Sequence, residues 1–260
     1  MKILAVIGSP HKGKSFEITQ KIENKLHEFG DVEFDYLLLK DVNLEPCRGC
    51  HVCFFKGEKL CPIKDDREKI EQQLMQADGI IFVSPVYALN ITSIMQIFME
   101  RFAYIAHRPC YYGKHAMAVV VTGSQGLKGV LKAVSFFENG GIMITDKIGL
   151  LTPPTQLPKF MERKNERKIN KAAAKFYKYV KTGKSQKPKL GKLIWFRVFR
   201  VLGPLKSDSY WEADCKYWSE KGWMDEGTKY YFDTRINVFY KAIAWLSEKI
   251  VRMFSGKLVN

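Results

Sequence analysis

No apolar run in the 260-residue sequence approaches the roughly 20 residues that a membrane-spanning helix requires, which excludes the helical membrane class. The stretch from Met1 to Ile7 is too short for the core of a secretory signal, and no small-residue cleavage site follows it. The expectation is a cytoplasmic protein whose six cysteines stay reduced and are read first as metal, cluster or redox groups. Acidic residues are almost missing from 158–206, where sixteen Lys/Arg face only Glu162 and Glu166. Nearly all of the formal charge of +15 therefore sits in one stretch, and the first 150 residues are close to balanced. Internal repeats and low-complexity tracts are absent too, which excludes solenoid architectures. His107 and His115 are accompanied by no Ser-His-Asp or Cys-His pattern, so no hydrolytic role is assigned.

Aliphatic and aromatic residues make up 46% of the chain, enough to build a core rather than a disordered segment. Strand-like runs at 2–7, 32–39, 78–83, 116–122 and 142–150 alternate with helical spacing at 15–29, 65–76, 93–105, 127–137 and 159–180. In the second of these helices Ile70, Leu74 and Met75 are expected to face inward. The first strand shows no polar alternation, as expected where both faces are buried. Strands alternating with helices build parallel sheets, because a parallel crossover needs a helix to return the chain. The expected fold is α/β: a flavodoxin-like, doubly wound, five-stranded parallel sheet over 1–182, with a Cys-rich insertion at 45–64. Residues 183–260 form a basic linker and an aromatic-rich, mostly helical extension carrying Trp211, Trp218 and Trp223.

Ligands of such sheets sit beyond the carboxyl ends of the strands. After the first strand comes Gly8-Ser9-Pro10-His11-Lys12-Gly13-Lys14-Ser15. A helix N-terminus offers unpaired N–H groups and partial positive charge to a phosphate, while Ser9, Ser15 and Lys12 or Lys14 add donors. The same eight residues match the nucleotide-triphosphate loop G-x-x-x-x-G-K-[ST], so the motif alone leaves a P-loop NTPase open. An NTPase also needs an acidic residue after a core strand to help hold Mg²⁺, and the third strand leads into Ser84-Pro85 instead. There Pro85 stiffens a loop in which Tyr87 presents an aromatic face and Asn90 lies close by. Thr122-Gly123-Ser124-Gln125-Gly126 follows the fourth strand with two glycines and small hydroxyls. A flat ring packs naturally between two such loops.

With Gly-Ser-Pro and Lys12-Gly13, Ser84-Pro85-Val86-Tyr87 and Thr122-Gly123 in this order, the chain resembles the NAD(P)H-dependent FMN reductases of the flavodoxin-like superfamily over roughly residues 1–180. The resemblance implies a phosphate site lined by Ser9, His11, Lys12, Gly13, Ser15 and Phe16. It implies a ring site lined by Pro85, Val86, Tyr87, Asn90, Thr122, Gly123, Ser124 and Gly126. Two positions depart from the family pattern: His11 stands where Arg is common, and Ser15-Phe16 where Asn-Thr is common. Phe16 has no side-chain donor for a phosphate.

Cys47-x₂-Cys50-x₂-Cys53-x₇-Cys61 places four thiols within 15 residues. Close spacing of three, with a fourth returning, suits an iron–sulfur cube better than zinc, which usually takes two separated pairs. A redox-active or purely structural Cys50/Cys53 dithiol stays open. The spacing resembles the iron–sulfur flavoproteins of the same superfamily, which implies a [4Fe–4S] cluster on Cys47, Cys50, Cys53 and Cys61 beside FMN. Cys110 and Cys215 are isolated and read as small buried hydrophobes.

The expected function is an FMN-dependent NAD(P)H oxidoreductase, with a possible relay through the cluster to an unknown acceptor; the cofactors would carry the chemistry, so no catalytic side chain is assigned. A non-enzymatic electron carrier, docking an acidic partner through the basic segment, is the alternative. The resemblance implies a homodimer. Basic runs without a base-reading motif disfavour nucleic acid, whereas the aromatic and Arg mixture at 193–205 suits a membrane surface or a dimer interface.

Overall fold

The computed structural model describes residues 1–184, 187–205, 211–225 and 227–258. Of the sequence expectations, Ser185 and Gln186 in the linker, Lys206 at the end of the basic stretch and Tyr210 beside the Trp-rich segment lie outside the described residues. The chain divides into two compact units, residues 1–48 with 63–185, and residues 49–62 with 186–260.

The first unit runs β1 (Lys2–Ile7), α1 (Lys14–Phe29) and β2 (Glu33–Leu38). After the cysteine segment, which holds the one-turn helix α2 (Val52–Phe55), come α3 (Arg67–Gln76), β3 (Gly79–Pro85) and α4 (Ser93–Arg101). They are followed by β4 (His115–Thr122), α5 (Leu127–Val134), β5 (Met143–Leu151) and α6 (Lys159–Thr182). The five strands pair in parallel in the order β2-β1-β3-β4-β5, the flavodoxin-like doubly wound order. Residues Ile3 to Ile7 are all buried, as their unbroken apolar run requires of a strand covered on both faces. On one face Ile3, Ala5, Ile81, Val83, Met117 and Val119 pack with Ile18 and Ile22 of α1 and with Ile169, Ala173 and Phe176 of α6. On the other, Phe82 stacks on Phe137 with ring centroids 4.5 Å apart, and Phe98 of α4 joins them.

Several boundaries differ from the sequence expectation. β3 continues through Ser84 and Pro85, and Pro85 pairs with Val121 of β4. The carbonyl of Val83 faces β1 and the N–H of Val86 faces β4, so strand alternation turns the Pro85 nitrogen toward β1. β1 has already ended at Ile7, so the missing N–H costs no ladder bond. The helices expected over 93–105 and 127–137 end at Arg101 and Val134 and continue as 3₁₀ turns at Ala103–Ala106 and Ser135–Gly140. In α3, Ile70 and Leu74 point inward while Met75, one residue further round the helix, is exposed.

The second unit contains α2, α7 (Leu190–Leu205), α8 (Glu212–Glu220) and α9 (Val238–Leu258). Its core is aromatic: Trp218 is fully buried and stacks on Phe199 and Phe196, with Trp223 and Tyr231 edge-on against it. The segment at 193–205, whose aromatic and Arg mixture suggested an interfacial helix, turns Leu193, Phe196, Phe199 and Arg200 inward, leaving Trp195 as its partly exposed aromatic. Arg200 is tolerated there because Glu248 of α9 accepts two hydrogen bonds from its Nη2 at 2.9 and 3.0 Å. Arg197 adds a bond at 3.1 Å and Arg252 one at 2.9 Å. Burial pushes the Glu248 carboxyl up, but the bonds from Arg252, Arg200 and Arg197 outweigh it and hold the group below the ordinary carboxylate range.

Candidate functional site

The loop leaving β1 is pinned from two sides. Gly8 donates its N–H to Val83 O at 2.8 Å, and its carbonyl accepts from Thr92 Oγ1 at 2.6 Å. Thr92 also caps α4, where Met95 N bonds its hydroxyl, so one side chain ties the loop to the helix after β3. A Cβ on Gly8 would stand 2.7 Å from Met95 Cβ, which no packing permits; the glycine is required by this close approach. Ser9 is buried and donates to His11 O at 2.8 Å, tightening the turn. Gly13 caps α1, and Ser15 is buried in its first turn. The N–H groups of Lys14 and Ser15 open the helix and have no carbonyl within it, as an anion site needs.

Two loop side chains point elsewhere. The Phe16 ring packs on Tyr36 with centroids 5.1 Å apart, and its N–H bonds Gly13 O. Lys14 pairs with Glu17 at 2.7 Å on the exposed surface of α1 rather than lying across the loop, where a triphosphate-binding Lys would be. His11 and Lys12 are exposed, and the Lys12 ammonium lies 5.2 Å from the Phe16 ring centroid.

The loops after β3 and β4 meet. Val86 N bonds Val121 O at 2.9 Å, and Tyr87 and Asn90 exchange two backbone bonds of 2.9 and 2.8 Å around Ala88-Leu89. Both central residues have positive φ, 47° and 62°, the pattern of a type I′ turn built without the usual Asn or Gly. Thr122 Oγ1 donates to Gln125 O at 2.7 Å and accepts from Ser124 N at 3.2 Å, folding the second loop back on itself. Gly126, at φ +89°, begins α5, and a Cβ there would lie 2.6 Å from Val86 Cγ1 and 3.2 Å from Leu89 Cα. A Cβ on Gly123 would make only ordinary contact, 3.9 Å from Pro153 Cα and Pro154 Cδ. Pro85 is buried in β3 and supports the loop from below, while Tyr87 and Asn90 are exposed at its rim. The structure therefore brings Ser9, Gly13 and Ser15 to one strand end, and Val86, Tyr87, Asn90, Thr122, Gly123, Ser124 and Gly126 to the neighbouring two.

Three contributors were not read from the sequence. Leu89 is an exposed apolar side chain in the turn; Thr92 and Met95 carry the β1 loop. A Thr three residues before Met95 at the start of an apolar run is an N-cap signal, but nothing in it announces the bond to Gly8. A cavity of about 680 Å³ lined by Met1, Asp78, Lys114 and His115 opens at the opposite, amino-terminal edge of the strands, away from these loops. There His115 is buried and held neutral by that burial, with Nε2 3.1 Å from Lys184 O.

The cysteine segment has fixed ends. Asn43 N bonds Asp66 Oδ2 at 2.9 Å and Glu45 N bonds Asp65 Oδ2 at 3.0 Å. Asp65 is itself gripped by Arg101 at 2.9 Å, with both side chains almost fully buried. Burial raises the Asp65 carboxyl, but the Arg101 bonds and the N–H groups of Glu45 and Arg67 outweigh it and hold the group below the ordinary carboxylate range. Between these ends Cys47 and Cys50 are exposed, and Cys53 and Cys61 are half-buried. His51 at φ 57° starts α2, which carries Cys53. Among the described residues no three His, Cys, Asp or Glu side chains form a group ready to hold a metal ion, so the thiols are not collected into a cage. The donor set itself, four thiols on one short loop, has the soft chemistry of an iron–sulfur ligand set. Cys110 and Cys215 are half-buried rather than buried, and burial together with the Asp214 charge pushes the Cys215 thiol up to about 11, leaving it unreactive.

Comparison with known proteins follows the same lines. Residues 1–150 match the model of the family described as NADPH-dependent FMN reductase. An iron–sulfur flavoprotein of Archaeoglobus fulgidus is 34% identical over 128 residues, 48% of this chain and 56% of that protein. The chain thus spans about half the length of such archaeal relatives. An iron–sulfur flavoprotein of Clostridioides difficile is 28% identical over 232 residues, 85% of this chain and 99% of that one. Among solved structures, RosB with bound 8-demethyl-8-formylriboflavin-5′-phosphate superposes with a TM-score of 0.55 at 15% identity, covering 92% of each chain, a likeness of fold.

Proposed function

Because the chain belongs to the NADPH-dependent FMN reductase family and groups with its iron–sulfur flavoproteins, we propose that it is an FMN-dependent oxidoreductase that takes electrons from NADPH or NADH. The observation that carries this reading is the meeting of three loops at the carboxyl ends of β1, β3 and β4, beside the point where strand order reverses.

Each loop has a separate task. The opening N–H groups of α1 and the hydroxyl of Ser15 would bind the phosphate, while Ser9 holds the turn through its bond to His11 O. Val86, Tyr87 and Asn90 would line one side of the ring, and Thr122 to Gly126 another. Tyr87 and Leu89, both exposed, exclude water at its rim. FMN, when bound, supplies the ability to accept a hydride and release electrons singly, so the side chains need only bind and orient. The Thr122–Gln125 bond presets the donors of that loop, so little ordering is needed on binding.

Cys47, Cys50, Cys53 and Cys61 would supply the thiolates that hold a [4Fe–4S] cluster, which when bound would supply one-electron chemistry. The Asp65–Arg101 pair fixes the stem of their loop. Reduced thiols of this kind suit the cytoplasm, and family membership implies a homodimer.

Protein purified without oxygen tests the proposal through its absorption spectrum, with iron and sulfide assayed on the same sample and NADPH then added. A two-band flavin spectrum bleached by NADPH, with iron near four per chain as a Cys₄ cube requires, is the expected result. Flavin without iron removes the relay and leaves the reductase. A colourless protein that takes up no added FMN overturns the reading.

A further inference from the structure

β5 is the last strand of the sheet, and a cavity of about 650 Å³ opens beside it, bounded by α5, the 3₁₀ turn that follows α5, β5 and Lys168 of α6. Its floor is apolar: Leu127 and Leu131, one turn apart on α5, and Phe136 are half-buried. Its rim is basic: Lys128 and Lys132 are exposed one turn apart on the same helix, and Lys147 of β5 and Lys168 come from the other elements. The one carboxylate in the lining, Glu138, pairs with Lys147 at 3.2 Å. Among the described residues, Lys128, Lys132 and Lys168 have no carboxylate within ion-pair distance. Lys164 and Lys171, four and three residues from Lys168 on α6, are exposed and continue the positive side. The two carboxylates of that helix, Glu162 and Glu166, line a different pocket with Lys14 and Lys21 of α1.

The chemistry of this trough selects its occupant, which must bring both apolar groups and negative charge. Nucleic-acid phosphates would answer the lysines and leave the apolar floor bare. A bilayer takes up exposed apolar side chains, not half-buried ones behind a rim of lysines. A small ligand is held where most of its surface is enclosed, whereas Lys128 and Lys132 stand open to solvent. A strand added to β5 would need its outward carbonyls, and those of Gly149 and Leu151 already accept from Lys168 Nζ at 2.7 Å and Asn165 Nδ2 at 2.8 Å. The N–H of Lys147 is likewise taken, by Asp146 Oδ1 at 2.9 Å. A second copy fails on charge: most of the exposed large apolar side chains lie on α9, whose one carboxylate, Glu248, is buried, and each copy carries +15. A helix with apolar residues on one side and Asp or Glu beside them meets both needs.

We propose that the trough along α5, β5 and Lys168 docks an acidic amphipathic helix of a partner protein. Its apolar side would lie on Leu127, Leu131 and Phe136, and its carboxylates on Lys128, Lys132 and Lys168. None of these residues is assigned to FMN or to the cluster, so the docking stands apart from the flavin reading.

Fluorescence anisotropy tests this with the full-length protein and a fluorescein-labelled peptide of about 18 residues, Leu at the positions of one helical stripe and Glu elsewhere. The protein should bind the peptide, and Lys128→Glu with Lys132→Glu should weaken binding at least about tenfold, because like charges then face each other. A scrambled peptide of the same composition, which has no apolar side to bury, should bind at least about tenfold more weakly than the amphipathic one. Lys128 and Lys132 are exposed, so circular dichroism and FMN content of the double variant should match the parent. No binding of the amphipathic peptide overturns the proposal, and so does binding that the double variant leaves intact. Equal binding of the scrambled peptide, or of a DNA duplex of matching charge, assigns the lysines to polyanions in general and overturns it too.

Discussion

Gly126 stands where the loops after β3 and β4 touch, and a side chain there has nowhere to go. Its φ of +89° disfavours any L-residue, and the added Cβ would meet Val86 Cγ1 at 2.6 Å. Gly126→Ala should cost about 1–2 kcal/mol from the left-handed backbone alone, read from urea melts. It should also weaken FMN binding, read by fluorescence titration, because Val86 and Leu89 must both retreat. Asp65 acts at a distance from those loops, on the stem of the cysteine segment. Its carboxyl is held below its unfolded value, so its contribution is complete above roughly pH 4, the unfolded value, and fades as the pH drops through the lowered one. Asp65→Asn should remove that part of the acid dependence and destabilise the protein at neutral pH by taking away the negative charge that faces the buried Arg101, by about 3 kcal/mol. Melts at pH 7 and pH 3 in parallel check both. The two residues differ in legibility. Gly126 belongs to a loop whose glycines and hydroxyls mark a ligand turn, whereas the bond from Glu45 N to Asp65 spans 20 residues and follows no periodicity. Phe16 shows the same limit: its position after a phosphate loop suggested the site, but aromatic packing against Tyr36 turned its ring away.

Among the elements, the strands of the sheet were readable because both faces are buried and the apolar runs are unbroken. β3 was read two residues short because proline normally stops a strand, and the harmless direction of the missing N–H depends on where β1 ends. The turn at Ala88-Leu89 lacks Gly and Asn, so nothing in its composition announces two positive φ values. Ala88→Asn with Leu89→Gly, the residues a type I′ turn prefers, should raise stability by about 1 kcal/mol by relieving the left-handed strain. The gain should appear as a higher Tm, with weaker FMN binding where the Leu89 side chain is lost from the rim. For α7 the sequence misled, because charged residues beside aromatics read as a surface pattern. Arg197 and Arg200 face inward only because Glu248 arrives from about 50 residues later. Glu248→Gln keeps the shape and removes the charge, leaving two largely buried guanidinium groups uncompensated, at a cost of about 3–5 kcal/mol. All five tryptophans, Trp195, Trp211, Trp218, Trp223 and Trp245, lie in the second unit, so their fluorescence reports its unfolding alone. The Glu248→Gln variant should show the tryptophan transition moved to lower urea. In the parent, the same transition should move down as the pH falls below roughly 4.3, where the unfolded glutamate takes up its proton, and should worsen through the lowered native value.

Across the whole molecule, the residues proposed for FMN and for the cluster are divided between the two units, with Cys47 in the same unit as the loops after β1, β3 and β4. Every loop expected to hold FMN lies within residues 1–48 and 63–185, while Cys50, Cys53 and Cys61 belong with residues 186–260. The sequence carried the alternation of the first part and the aromatic richness of the second. It could not show that a 14-residue insertion in the first part joins the helices of the second, because that association is made of contacts over 150 residues apart. The consequence is testable with one side chain. Trp218 is fully buried at the centre of the aromatic core, touching Phe196, Phe199, Trp223 and Tyr231. Trp218→Ala should cost that unit about 3–5 kcal/mol, the usual range for a large aromatic removed from a core. The loop bearing the three cysteines would lose its support, whereas the β1, β3 and β4 loops keep every bond described for them. Iron per chain should therefore fall in the full-length variant while FMN per chain stays at the parent value. Both are read from one anaerobic preparation by metal assay and by the released flavin's absorbance. A parallel loss of flavin would mean that the second unit also holds the first in shape, and that the ring loops depend on more than the sheet that carries them.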